Sequence, residues 1–76
     1  MQFHIVVTGP NRPGAQDLYR IVAVTHKKDL AQKYHDLIME NEDLHGRPMV
    51  KSIIGQNRHQ NNKYFVETFT RELLES

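Results

Sequence analysis

Residues 2–8, QFHIVVT, alternate with Phe3, Ile5 and Val7 on one face, a period of two that predicts a strand. The cluster Gly9-Pro10-Asn11-Arg12-Pro13-Gly14 interrupts it. Residues 18–25, LYRIVAVT, are rich in β-branched and aromatic types and predict a second strand, reached through a loop of about nine residues. From residue 25 the period changes. Leu30, Tyr34, Leu37, Ile38 and Leu44 recur at helical spacing, while Lys33, His35, Asp36 and Glu40 fall on other faces. An amphipathic helix follows from this pattern, with Thr25 as N-cap. Leu44-His45-Gly46 before Arg47-Pro48 is its stop, and Gly46 suits the left-handed C′ position.

Residues 49–54, MVKSII, predict a third strand between Pro48 and Gly55. The last segment carries two patterns. YFVETFT has strong β propensity, whereas Phe65, Phe69 and Leu73 are spaced four apart, as on a helix. The strand reading over 63–70 is preferred, with a short helical or frayed tail at 71–76.

The resulting order is ββαββ. It describes an α+β domain spanning 1–76, a small four-stranded sheet with one amphipathic helix packed on one face. The link from the second strand through the helix to the third then forms a right-handed crossover. Loop 9–17 lies at the top of such a sheet. The polar run GQNRHQNN (55–62) reads as a mobile loop at the bottom, roughly 20–25 Å away. With one helix, only one sheet face is covered, and the other must be polar or an interface.

Composition narrows the function classes. The chain has 76 residues, enough for one core that buries about 60% of the unfolded surface, so stability should be on the order of 5 kcal/mol. There is no cysteine, which excludes disulfides, thiolate zinc sites and cysteine nucleophiles. A domain this small without staples points to a reducing, cytoplasmic setting or to a partner that adds burial. No apolar run approaches the roughly 20 residues that span a bilayer, and MQFHIVVTG lacks the features of a signal peptide. The chain therefore reads as complete and cytoplasmic.

Lys+Arg 10 against Asp+Glu 9 gives no global field toward nucleic acid or membrane. The distribution is nevertheless uneven. Lys27, Lys28 and Lys33 open the helical segment, and Asp36, Glu40, Glu42 and Asp43 close it, opposite to the preference of the helix dipole. Those charges are free for another role.

Gly9-x4-Gly14 has the opening spacing of a phosphate-cradling loop, but Ala15 and Gln16 stand where its lysine and Ser/Thr belong. Pro10 and Pro13 also remove backbone N–H groups that such a nest uses. Pro10-Asn-Arg-Pro13 is a PxxP as well, yet it is pinned between two strands, where a turn is the better reading. Among His4, His26, His35, His45 and His59, no pair has zinc-ligand spacing, so no metal and no cofactor are expected. No nucleophile sits on a recognisable elbow, and the chain has little material for a deep pocket. Neither an enzyme nor a small-molecule substrate is expected.

Two binding readings remain. Arg58, His59 and Lys63 precede Tyr64 and Phe65, a basic-aromatic run that can grip phosphate and stack bases. In the predicted layout Lys27, Lys28 and Lys33 share its end of the sheet. This nucleic-acid reading is the alternative. The leading expectation is a small non-enzymatic regulator that docks on a larger protein, a kind of chain common among phage and mobile-element products. Sheet edges and the uncovered face, with Arg12, Lys27, Lys28, Lys33, Arg58, His59 and Lys63, are the candidate partner-binding features. No family signature is recognisable, and a ββαββ order is shared by too many unrelated domains to carry function.

Overall fold

The computed structural model describes residues 1–43 and 47–72. Along the chain run β1 (Gln2–Pro10), a 3-10 turn (Gln16–Leu18), β2 (Arg20–Thr25), α1 (Lys28–Asp43), β3 (Val50–Lys51), β4 (Asn57–Gln60) and β5 (Tyr64–Glu72). Among the described residues the strands form one five-stranded sheet in the order β2-β1-β5-β4-β3. Every neighbouring pair is antiparallel. The α+β class with one helix stands, but the four-stranded ββαββ arrangement does not.

The difference arises in two places. The expected third strand shrinks to Val50–Lys51, and the polar run read as a loop contains β4. This extra strand adds a chain reversal. β5 therefore enters the centre of the sheet between β1 and β4, and β2 and β3 end at opposite edges. Four antiparallel steps separate β2 from β3, so the two strands that α1 connects run parallel to each other at opposite edges of the sheet, and not as neighbours. β5 continues to Glu72, so residues 71–72 are strand, while 73–76 lie outside the described residues. The expected helix stop at Leu44-His45-Gly46 lies outside them too.

Thr25 ends β2 and does not cap α1. Its hydroxyl accepts the Lys27 N–H at 3.1 Å, forming a turn into the helix, and the Lys27 carbonyl accepts the first helical bond from Ala31 at 3.1 Å.

The core lies between α1 and one sheet face. Val6, Ala31, Met49 and Val66 are buried there, with Ala23, Ile38 and Met39 packed around them. On β1 the helix covers His4 and Val6, so Phe3, Ile5 and Val7 are left on the opposite face, half-buried. On α1 the buried stripe is Ala31, His35, Ile38 and Met39, whereas Leu30, Tyr34 and Leu37 are 37–49% exposed. On β1 the more apolar stripe thus faces away from the helix, and on α1 Tyr34 and Leu37 flank the helix–sheet contact instead of filling it. Ala31 explains part of this choice, because a methyl side chain lets the helix approach Val6 and Val66 closely. His35 explains the rest, since its ring finds polar partners only on the sheet.

Candidate interaction surfaces

The glycine–proline segment connects two antiparallel strands. β1 runs on through Gly9 and Pro10, and a single 3-10 turn precedes β2, so no helix N-terminus stands where a phosphate loop needs one. Gly9 is required for another reason. A Cβ there would lie 2.5 Å from Tyr19 Cδ1, and Tyr19 uses that space to reach Phe65 edge-on, ring centroids 4.8 Å apart. Arg12 is exposed in this loop.

The loop and the polar run meet, although the predicted layout placed them at opposite ends. Asn11 N–H donates to the Lys63 carbonyl at 2.8 Å, and Asn11 Nδ2 donates to the Asn61 carbonyl at 2.7 Å. The added strand β4 carries the chain back to the end where β1 finishes. Asn61 makes the β4–β5 turn itself, its side-chain oxygen accepting the Lys63 and Tyr64 N–H groups at 2.8 Å each.

Arg58 is spent inside the fold. Its guanidinium lies 4.1 Å from the centre of the Phe65 ring, with Nη1 donating to Glu67 at 3.3 Å, Nη2 to Asn11 at 3.2 Å and Nε to Gln60 at 2.8 Å. Glu67, nearly buried, also accepts the Gln56 N–H at 2.9 Å. A charge so engaged ties β4 to β5 and to the loop after β1. His59 faces the other way, toward α1, and Lys63 is exposed in the turn. Lys27, Lys28 and Lys33 line a shallow depression of their own at the start of α1. The structure therefore disperses the basic set instead of assembling it at one end.

His35 and His59 are brought together from 24 residues apart in sequence. His35 Nε2 and His59 Nδ1 share a 2.8 Å hydrogen bond, and His35 Nδ1 shares another of 2.8 Å with Thr68 Oγ1. His35 has no exposed surface. Burial, reinforced by the neighbouring His59 and opposed only by Asp36, lowers its pKa to about 4. A neutral ring fits this site, because it donates through one nitrogen and accepts through the other. Two protonated rings do not fit, since their N–H groups would face each other. Among the described residues no group of three or more His, Asp or Glu side chains is gathered to hold a metal ion.

Among the described residues, besides the exposed Val50, Ile53 and Ile54 around β3, two larger apolar surfaces are uncovered. On the helix-free face, register places Val24, Ile5 and Phe69 in one row and Ile21 beside Val7 in the next. Phe3 sits below them, opposite Arg71, whose guanidinium lies 5.1 Å from the Phe69 ring centre. Ile21 is 67% and Val24 60% exposed. The second surface is a groove of about 1130 Å³ between α1 and the β2 side of the sheet. Leu18, Val22, Tyr34 and Leu37 give it apolar walls, with Arg20 and Lys63 among its charged residues.

No protein-family model, curated protein or solved structure matches this chain. The molecule itself is thus the source of any functional reading. The sequence led to the expectation of one uncovered sheet face but not to Phe3, Ile5, Val7 and Phe69 as its residues, and the groove was not foreseen. A signal for the groove existed in Tyr34 and Leu37, two apolar residues at helical spacing that line it.

Proposed function

We propose that this chain is a non-enzymatic binding protein that docks on a larger protein and modulates it through the helix-free face of its sheet. One observation carries the reading: Phe3, Ile5, Val7, Ile21, Val24 and Phe69 spread over three adjacent strands, and among the described residues no helix or further strand lies across them. A small monomer seldom leaves a contiguous apolar sheet face to water, and such patches mark interaction sites. Exposed Arg71 at its margin is the kind of polar group that rims protein interfaces. The test is stoichiometric capture from nuclease-treated source lysate by the wild type and by a Phe3→Ser/Phe69→Ser variant with an unchanged circular dichroism spectrum. One protein should be held by the wild type and lost by the variant. Equal capture by both removes this face from the reading.

A second reading rests on the groove. Tyr34 and Tyr64 stand there with Arg20, Arg47 and Lys63, the aromatic and cationic groups that grip single strands. It differs from the docking reading in its salt dependence. Affinity for a single-stranded oligonucleotide at ~150 mM salt, falling steeply as salt rises, would favour it.

A further inference from the structure

The edge of the sheet at β2 differs from the edge at β3. β3 has two residues, too few to template another strand, whereas β2 has six and pairs only with β1. Between Arg20 and Thr25 it carries no charge and no proline, and Ile21, Val22 and Val24 are all exposed. Natural sheets protect such edges with charges, prolines or a covering element. On β2 such devices are confined to Arg20 at its start and the irregularity at Val22, and among the described residues no strand pairs with its outer side, where Ile21, Val22 and Val24 stay exposed.

We propose that two copies of this chain join β2 to β2 in antiparallel pairing, forming one continuous sheet with both helices on the same face. Three features point to a second copy rather than to an unrelated strand. The first is the irregularity in β2. Val6 is opposite Ala23 and Val7 opposite Ile21, so the register shift inserts Val22. Ile21 and Val24, which an unbroken strand would put on opposite faces, therefore both lie on the helix-free face, as do their partners Val7 and Ile5. Residues directly opposite in a two-fold antiparallel pair must share a face. With Val22 and Ala23 at the centre, Ile21 meets Val24 of the second copy, and Val24 meets its Ile21. The apolar rows of the two helix-free faces then become continuous.

The second feature is the flank of α1. The helix lies over β2, β1 and β5, and Tyr34 and Leu37 line the groove beside Val22 and Arg20. A two-fold axis at the β2 edge turns this flank toward its own copy. At about 4.8 Å per strand the helix axes stand roughly 14 Å apart, wider than bare helix packing, and Tyr34 and Leu37 from both sides fill that space.

The third feature is charge. The same axis runs the two helices antiparallel, which brings the basic start of one, with Lys27, Lys28 and Lys33, toward the acidic end of the other, with Glu40 and Glu42. The reversed order of charges, unfavourable to the helix dipole, is favourable across this pair. Arg20, the cation on the edge itself, falls opposite Thr25 of the second copy.

This pairing does not depend on the docking reading, because it uses the edge and not Phe3 or Phe69. Sedimentation velocity from ~1 to 100 µM at low salt tests it, since a weak dimer shows as a concentration-dependent mass. The expected mass at the upper end is twice the 8.9 kDa of one chain. Val22→Lys places a charge on the paired edge and should weaken association at least tenfold, while Phe3→Ser/Phe69→Ser should leave it unchanged. If Val22→Lys fails to fold, Leu37→Glu on the exposed flank replaces it. Lys33→Glu should weaken the dimer several-fold, and adding Glu40→Lys in the same chain should recover most of the loss. A folded wild-type monomer at the highest concentration overturns the proposal. So does a dimer indifferent to both edge and flank variants.

Discussion

Acid should unfold this domain through His35. The folded protein holds the ring neutral, with a pKa of about 4 against 6.5 when exposed. Above pH 6.5 both folded and unfolded chains carry a neutral His35, and its contribution is fully present. As pH falls from 6.5 toward 4, the unfolded chain takes up a proton that the folded chain refuses, so stability is lost across that window. At roughly 1.4 kcal/mol per pKa unit, the loss is about 2 kcal/mol at pH 5 and about 3 kcal/mol by pH 4. For a domain of about 5 kcal/mol this is most of the margin. Urea unfolding followed by circular dichroism at pH 7.5, 6 and 5, at constant ionic strength, measures it. His35→Gln is less stable at neutral pH, because it leaves Thr68 and His59 poorly paired. Its stability should nevertheless decline less with acid, the two profiles converging by about 2 kcal/mol at pH 5. Should the variant not fold, the ring nitrogen shifts of His35 in the wild type serve instead, and they should report a neutral imidazole through pH 5. Parallel stability profiles, or a ring that titrates near 6.5, would refute the reasoning.

Removing the Arg58 side chain strands a nearly buried Glu67 and uncovers the Phe65 ring, so Arg58→Ala should cost about 2–3 kcal/mol in urea unfolding. Arg58→Lys should recover less than half of this, because an ammonium cannot stack and reach Glu67, Asn11 and Gln60 at once. On α1, Leu30→Ala should change stability by less than about 0.5 kcal/mol at low protein concentration, whereas Ala31→Leu should cost about 1–3 kcal/mol by overpacking against Val6 and Val66. The reverse ranking would mean that the helix buries its leucine stripe.

Several elements were legible from pattern alone. β1 and α1 lie where alternation and helical spacing place them, and β2 and β5 lie where β-branched and aromatic residues concentrate, the four-residue spacing in β5 notwithstanding. β4 was not legible. Asn57, Arg58, His59 and Gln60 are polar on both faces, and a strand that satisfies polar groups on each side has no hydrophobic period to read. His59 is matched by His35 across one face and Arg58 by Glu67 and Phe65 across the other, partners distant in sequence. The candidate residues fared likewise. Arg58 and His59 are engaged inside the fold, Lys27, Lys28 and Lys33 stay together at the start of α1, and Arg12 and Lys63 are exposed in neighbouring turns.

The sequence by itself determined one small α+β chain, a helix with reversed charges, and a glycine–proline connection that lacks the lysine and Ser/Thr of a phosphate loop. It also determined that each main element has an apolar stripe. Which stripe is buried was decided only by the tertiary structure. Ala31 permits close approach, and His35 requires Thr68 and His59, so the helix turned those residues inward and left Leu30, Tyr34 and Leu37 outside. The helix has only one side to give to the sheet. Satisfying a buried ring and fitting a small contact outweighed hiding the larger side chains, and the surfaces left over became the ones available for binding.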